Sequence, residues 1–224
     1  MKTMIHSWQQ MEQLTLKWGF LPFFHNTIEG FSIEELTPET LWFSKEHPGP
    51  WEWKGPVIRE WRCAYGKFLA GKACFVSLEW LPDFANWRRF KYPLAEMGAD
   101  SRHVYDVLVQ HESLLSKELK LASGYTLSRK RTQDGTAKDG PACDKIISQL
   151  EMATYVCIAD FEYLVSKSGQ QYGWGVARYC TPEAMYGAGM LRCERTPEES
   201  RERIVNHIHS LFPDAQRAQI EKLI

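Results

Sequence analysis

Eight of the nine tryptophans (Trp8, Trp18, Trp42, Trp51, Trp53, Trp61, Trp80 and Trp87) fall in the first 87 residues, and only Trp174 lies later. Side chains this large must pack or bind something. The first half of the chain therefore has to build its core around bulky rings, whereas the second half carries cleaner aliphatic periodicity. With 224 residues the chain holds one large domain or two small, closely packed ones. We expect a division into 1–97, a Trp-rich α+β region, and 98–224, a helical region with a hairpin and bracing helices at its end. No internal repeat is visible in the sequence.

Lys and Arg number 27 and Asp and Glu 28, for a formal charge of −1. The molecule as a whole is neither a basic nucleic-acid coat nor an acidic tail protein, so any polyanion contact must come from a local patch. No run approaches the ~18 uninterrupted apolar residues of a membrane-spanning helix. The N-terminus lacks the apolar core of a secretory signal, so a cytoplasmic protein with no membrane partner is expected. The six cysteines, Cys63, Cys74, Cys143, Cys157, Cys180 and Cys193, contain no CxxC pair and read as reduced thiols rather than disulfides or zinc ligands. Cys63 and Cys74, on two strands expected to face each other, are candidate neighbours. Oligomeric state stays open, because an apolar hairpin face serves a core and an interface equally well.

Local signals divide the chain. Trp8, Met11, Leu14, Thr15 and Trp18 recur at helical spacing, and Gly19 is a natural stop. Ser32 with Glu35, and Thr37 before Pro38, are two helix starts. Pro48-Gly49-Pro50 and Gly55-Pro56 bracket Trp51-Glu52-Trp53, which reads as a fixed-shape loop. Between Trp61 and Ser77 two strand-like runs flank a glycine turn. The segment from Leu81 to Pro93 then sets cations among aromatics and is a candidate binding surface.

In the second half, Asp100 or Ser101 is placed to cap a helix carrying Val104, Val107 and Leu108, and Ser113 or Ser116 to start another that ends at Gly124. Residues 128–141 lack apolar periodicity and read as a loop. Pro141 suits the first turn of a third helix with Ile146, Ile147 and Leu150 inward. Tyr155–Ala159 and Tyr172–Tyr179 are strand-like, separated by a polar turn. Three helices and then a hairpin is the order of a winged helix-turn-helix, whose third helix enters a groove of the duplex. The expected fold class is α+β: a Trp-rich N-terminal half with a β-hairpin and a C-terminal winged helix-turn-helix, followed by two helices between Pro197 and Ile224.

Four blocks carry a family likeness: Gly19-Phe20-Leu21-Pro22-Phe23-Phe24, Tyr65-Gly66-Lys67-Phe68, Pro82-Asp83-Phe84-Ala85-Asn86-Trp87-Arg88-Arg89, and the run from Tyr172 to Glu183. Together they resemble bacterial proteins described as AlkZ-related, over most of the chain from about Gly19 to Glu183. The resemblance implies DNA binding more firmly than catalysis. The AlkZ-like DNA glycosylases are tandem winged-helix proteins that excise alkylated bases or unhook crosslinks. Those enzymes use a glutamine, a hydrophobic residue and then a glutamine or aspartate near the N-terminus. Here the comparable triplets are Gln10-Met11-Glu12 and Gln149-Leu150-Glu151, and neither stands in the expected surroundings, so the motif is carried onto neither.

From Ser113 to Gln149 there are seven cations against four acids, a patch suited to phosphates. Duplex DNA is the expected partner, contacted by Arg129, Lys130, Arg131 and Lys145, with Ser148 and Gln149 facing outward for base readout and Lys167 in the hairpin turn. A base-excising site would need an aromatic-walled pocket and a carboxylate to manage water. Glu52 and Asp83 are the candidate catalytic residues, with Trp51, Trp53, Tyr65, Trp87 and Arg88 as pocket walls. The same carboxylates also suit the capping of a turn or the pairing of an arginine. His207 and His209, two apart, sit on different helix faces, and no phosphate loop, nucleophile elbow or dinucleotide fingerprint appears. No metal and no organic cofactor are expected. The alternatives are a non-catalytic transcription or protein-interaction module, and a small-ligand-binding protein using the Trp-rich pocket.

Overall fold

The structure, a computed structural model, describes residues 4–44, 46–126, 140–165 and 171–224. Helix α1 (Trp8–Trp18) starts at Ser7, whose hydroxyl accepts the Gln10 N–H, and buries Met11, Leu14 and Thr15. It stops at Gly19, where φ is 75° and a Cβ would lie 2.5 Å from the Trp80 ring, so only glycine meets both demands. Strand β1 (Phe20–Pro22) follows, then the short helix α2 (Ile33–Leu36), capped by Ser32 as its spacing to Glu35 suggests.

The proline-bracketed segment around Trp51 is a helix, α3 (Pro50–Arg59), and not a fixed-shape loop. Pro50 sits in the first turn, where no backbone N–H is needed, and Gly49 is the N-cap, so the first of the two expected breaks instead starts the helix, while Gly55 and Pro56 lie inside it. Strands β2 (Cys63–Leu69) and β3 (Lys72–Ser77) form the expected hairpin. Cys63 pairs with Ser77 and Cys74 with Gly66, so those two thiols are not neighbours. Helix α4 (Leu81–Lys91) completes the first half.

The second half runs α5 (Ala99–His111), β4 (Ser113–Leu115), α6 (Ser116–Ala122), α7 (Gly140–Met152), β5 (Cys157–Val165) and β6 (Gln171–Cys180). It ends in α8 (Pro182–Tyr186), α9 (Pro197–Leu211) and α10 (Arg217–Leu223). Each half thus contains helix, strand, helix, helix, strand, strand. Both sheets are antiparallel with the first strand beside the third, β1-β3-β2 and β4-β6-β5. The topology repeats although the sequence does not. The two edge strands that complete this pattern, β1 and β4, are three residues long, too short to carry a period of two.

The halves interlock reciprocally. Helix α3 packs on β5 and α7 packs on β2, with β2 against β5 between them. Lys54 of α3 lies over the Phe161 ring at 4.3 Å, and Arg59 pairs with Asp160 at 3.0 Å. In the mirrored contact Lys67 of β2 donates to Ser148 of α7 at 2.9 Å. Six phenylalanines, Phe20, Phe23, Phe31, Phe68, Phe75 and Phe84, are fully buried in a core that continues through both halves. Helix α9 lies along α4, and His207 ties back to the first half by stacking on Trp80 at 4.1 Å and bonding the Trp18 carbonyl at 3.0 Å. Among the described residues no helix is long and apolar enough to cross a membrane.

Candidate functional site

A cleft of about 900 Å³ opens between the lead into α1 (His6, Ser7, Trp8), the segment holding Leu41, His47 and Pro48, and one face of α3. That face carries Glu52, Trp53, Gly55, Pro56 and Arg59, and Tyr163 of β5 closes the far wall. Trp8 and Tyr163, both half-buried, supply flat aromatic surface, Trp53 behind them is 4% exposed, and Glu52 is the cleft's one carboxylate among the described residues. One Glu52 oxygen accepts the Gly49 N–H at 2.9 Å, which ties the side chain to the N-terminus of α3, where negative charge is favoured. Gly49 is required there, since a Cβ would lie 1.9 Å from the Leu41 carbonyl oxygen. Arg59 is neutralised by Asp160. Burial, and then the Glu52 charge, raise the Tyr163 phenol above its usual range. At neutral pH the wall is therefore a hydrogen-bond donor near an acceptor.

Of the residues expected to form one pocket, Glu52 and Trp53 line this cleft and the others lie elsewhere. Trp51 packs in a ring cluster with Phe23, Phe24 and Trp42. Tyr65 sits between Phe75 and Phe161 where the halves meet. Trp87 is flanked by Lys91 and Arg201 on the far side of α4. Arg88 is buried and bonds the Met152 carbonyl at 2.6 Å, beside the end of α7. Asp83 is 2% exposed and is held by Arg195, Arg203 and Ser200. Its geometry is that of a clamp joining α4 to α9.

On α7, Ile147 and Leu150 are buried, Ile146 is half-buried, and Lys145 and Gln149 are exposed. Ser148 is partly buried and turned toward Lys67. Arg129, Lys130, Arg131 and Lys167 lie outside the described residues. Among those described, no group of three or more His, Cys, Asp or Glu side chains is arranged to hold a metal ion.

Two ionisable groups escape sequence reasoning. Lys54 lies over the Phe161, Trp51 and Phe23 rings at 4.3, 5.1 and 5.8 Å. Burial lowers its amine to about 8, against the opposing pull of Glu52. Glu151 is fully buried: one oxygen accepts the Lys67 N–H at 3.1 Å and the other has no hydrogen-bond partner among the described residues. Desolvation pushes its carboxyl up to about 7, although the Lys67 ammonium and N–H pull the other way. A signal for it exists in the sequence, since Cys143, Ile147, Leu150 and Glu151 follow i, i+4, i+7, i+8 and place the acid on the inward stripe. A different cysteine pair also meets across strands: Cys157 and Cys180, with sulfurs 3.4 Å apart.

Compared with known proteins, the chain is matched over residues 5–224 by the family model described as AlkZ related. No curated protein and no solved structure matches it.

Proposed function

The chain belongs to the AlkZ-related family, and from that premise we propose that it binds duplex DNA through a winged helix formed by residues 99–180 and acts there on damaged bases. The observation that carries this reading is the element order of that segment, α5-β4-α6-α7-β5-β6, with a sheet ordered β4-β6-β5. In this arrangement α7 is the helix offered to a groove and the β5–β6 hairpin is the wing. Lys145 and Gln149 on its exposed face suit phosphate and base-edge contacts, and the sequence supplies further cations for phosphates in Arg129, Lys130, Arg131 and Lys167. The first half, with the same order, is a second unit of the same kind.

Base excision would take place in the cleft on α3. An extruded base stacks on Trp8 and Tyr163. Glu52 accepts a proton from water as the water oxygen bonds to C1′ of the sugar, while the C1′–N bond breaks and its electron pair leaves with the base. No metal or organic cofactor enters this scheme. Tyr163 connects the two parts of the reading, because β5 is both a strand of the wing and a wall of the cleft. Asp83, enclosed by its arginines, serves instead to hold α9.

The aromatic walls also favour a second reading, a small-ligand site, and without catalysis the DNA-binding unit would serve as a transcription or protein-interaction module. One paired assay separates these: binding of a fluorescent duplex at two salt concentrations, and base release from that duplex after alkylation. Salt-sensitive binding with release supports base excision. Binding without release leaves the module, and no binding at low salt overturns the DNA reading.

A further inference from the structure

The repeated topology predicts a second cleft equivalent to the first, and there is one. The first lies between the lead into α1 and the third helix of its half. The second, of about 390 Å³, lies between residues 91–97, the lead into α5, and Gln149 and Met152 of α7. Lys91, Tyr92 and Glu96 are among its walls.

The charges around this cleft are unbalanced. Arg88 is 3% exposed, makes no ion pair among the described residues, and has an Nη2 group without a hydrogen-bond partner. Its Nε bonds the Met152 carbonyl, and its guanidinium lies 5.0 Å over the Tyr92 ring and 5.7 Å over the Phe84 ring, so it stands beside two residues that line the cleft, Met152 and Tyr92. Buried charge normally carries a partner. The negative end of α7 meets part of that need, but no carboxylate does. Lys91 likewise contacts rings alone among the described residues, Trp87 at 5.5 Å and Tyr92 at 5.6 Å. Two cations therefore adjoin one small cleft whose only acid among the described residues is Glu96. At the rim, the Gln149 amide offers both a donor and an acceptor.

We propose that this second cleft binds a nucleotide through its phosphate, with Lys91 and Arg88 supplying the positive charge, Tyr92 a face for the base and Gln149 a hydrogen-bonding edge. A phosphate supplies the missing anion, and a flat heterocycle fits a tyrosine face beside an amide. The volume is at the small end of ligand clefts. The phosphate has two sources, a free nucleotide or the phosphorylated end of a DNA strand, and both present the same group. The inference rests on Arg88 and Lys91 and stands whether or not the α7 face binds duplex.

The test is calorimetric titration of the full chain with deoxyadenosine 5′-monophosphate, with deoxyadenosine and with inorganic phosphate. Parallel titrations use duplexes with and without a 5′-phosphate. The monophosphate should bind at least tenfold more tightly than the nucleoside. Exposed Lys91, as Lys91→Ala, should remove that difference without loss of fold, and Gln149→Ala should weaken the monophosphate more than inorganic phosphate. If only the phosphorylated duplex binds, and Lys91→Ala removes its advantage, the source is a strand end and the site stands. Equal binding of nucleotide and nucleoside, with no advantage of the 5′-phosphate in duplex, overturns the proposal. So does affinity unchanged by both variants. Duplex binding that depends on Lys145, together with monophosphate binding that ignores Lys91, would leave the DNA reading intact while removing this one.

Discussion

Replacing Glu151 by glutamine tests how much a single buried acid governs stability. Its carboxyl titrates near 4.5 in the unfolded chain and at about 7 when folded, so between those values the folded state holds a proton that the unfolded state has released. Stability is then highest below the unfolded value and falls as pH rises through the folded one. At about 1.4 kcal/mol per unit the whole effect is about 3 kcal/mol, most of it lost between pH 5 and 7. Glutamine keeps an acceptor for the Lys67 N–H and cannot ionise. The measurement is guanidinium unfolding of both proteins by tryptophan fluorescence at several pH values from about 5 to 8, plotted as the difference between them. Contributions from all other groups are common to both proteins and cancel. The variant should gain on the parent by about 2 to 3 kcal/mol across this range. A difference that stays flat with pH would refute the reasoning, because it would mean that water reaches Glu151 in the folded state.

Asp83→Ala leaves Arg195 and Arg203 facing a hole between α4 and α9, and should cost about 3 kcal/mol, seen as a lower denaturation midpoint. Loss of that size is a result that a mere surface acid would not give. Glu52→Gln retains an acceptor for the Gly49 N–H, so stability should change by less than about 0.5 kcal/mol, whereas any base release should fall at least a hundredfold in a single-turnover assay. Replacing Arg129, Lys130, Arg131 and Lys145 together by alanine should flatten the logarithmic salt dependence of duplex binding by up to about 3.6, near 0.9 per lost phosphate contact. A slope unchanged on a shallow titration series would move the DNA surface elsewhere.

Much of this fold is legible from residue order. Ser32 and Glu35 announce α2, the Gly71 turn announces the β2–β3 hairpin, and the Ile147 and Leu150 spacing announces α7. The rest fails for physical reasons. Edge strands β1 and β4 gain their extended form from β3 and β6, partners more than 50 residues away in each case, and local spacing holds no trace of that. The segment at Trp51 misleads because Pro50 suits a helix's first turn, and because α3 continues through Pro56 although a proline there donates no backbone hydrogen bond. Within the site, Glu52 and Trp53 are recognisable as an acid beside an aromatic, yet their neighbours in the cleft, Trp8 and Tyr163, come from more than 40 residues away. The clamp on Asp83 depends on Arg195 and Arg203, over 110 positions downstream.

That last separation bears on how the chain is made. During synthesis Asp83 leaves the ribosome long before the arginines that neutralise it, Trp80 before His207, and Lys67 before Ser148. Until the final thirty or so residues emerge, the first half holds a half-built surface, with a carboxylate destined for burial still dependent on water. Contacts of such long range close slowly and leave aggregation-prone intermediates. Shortening the chain from its carboxyl end should therefore harm solubility in the cell well before it reaches any residue of the α3 cleft.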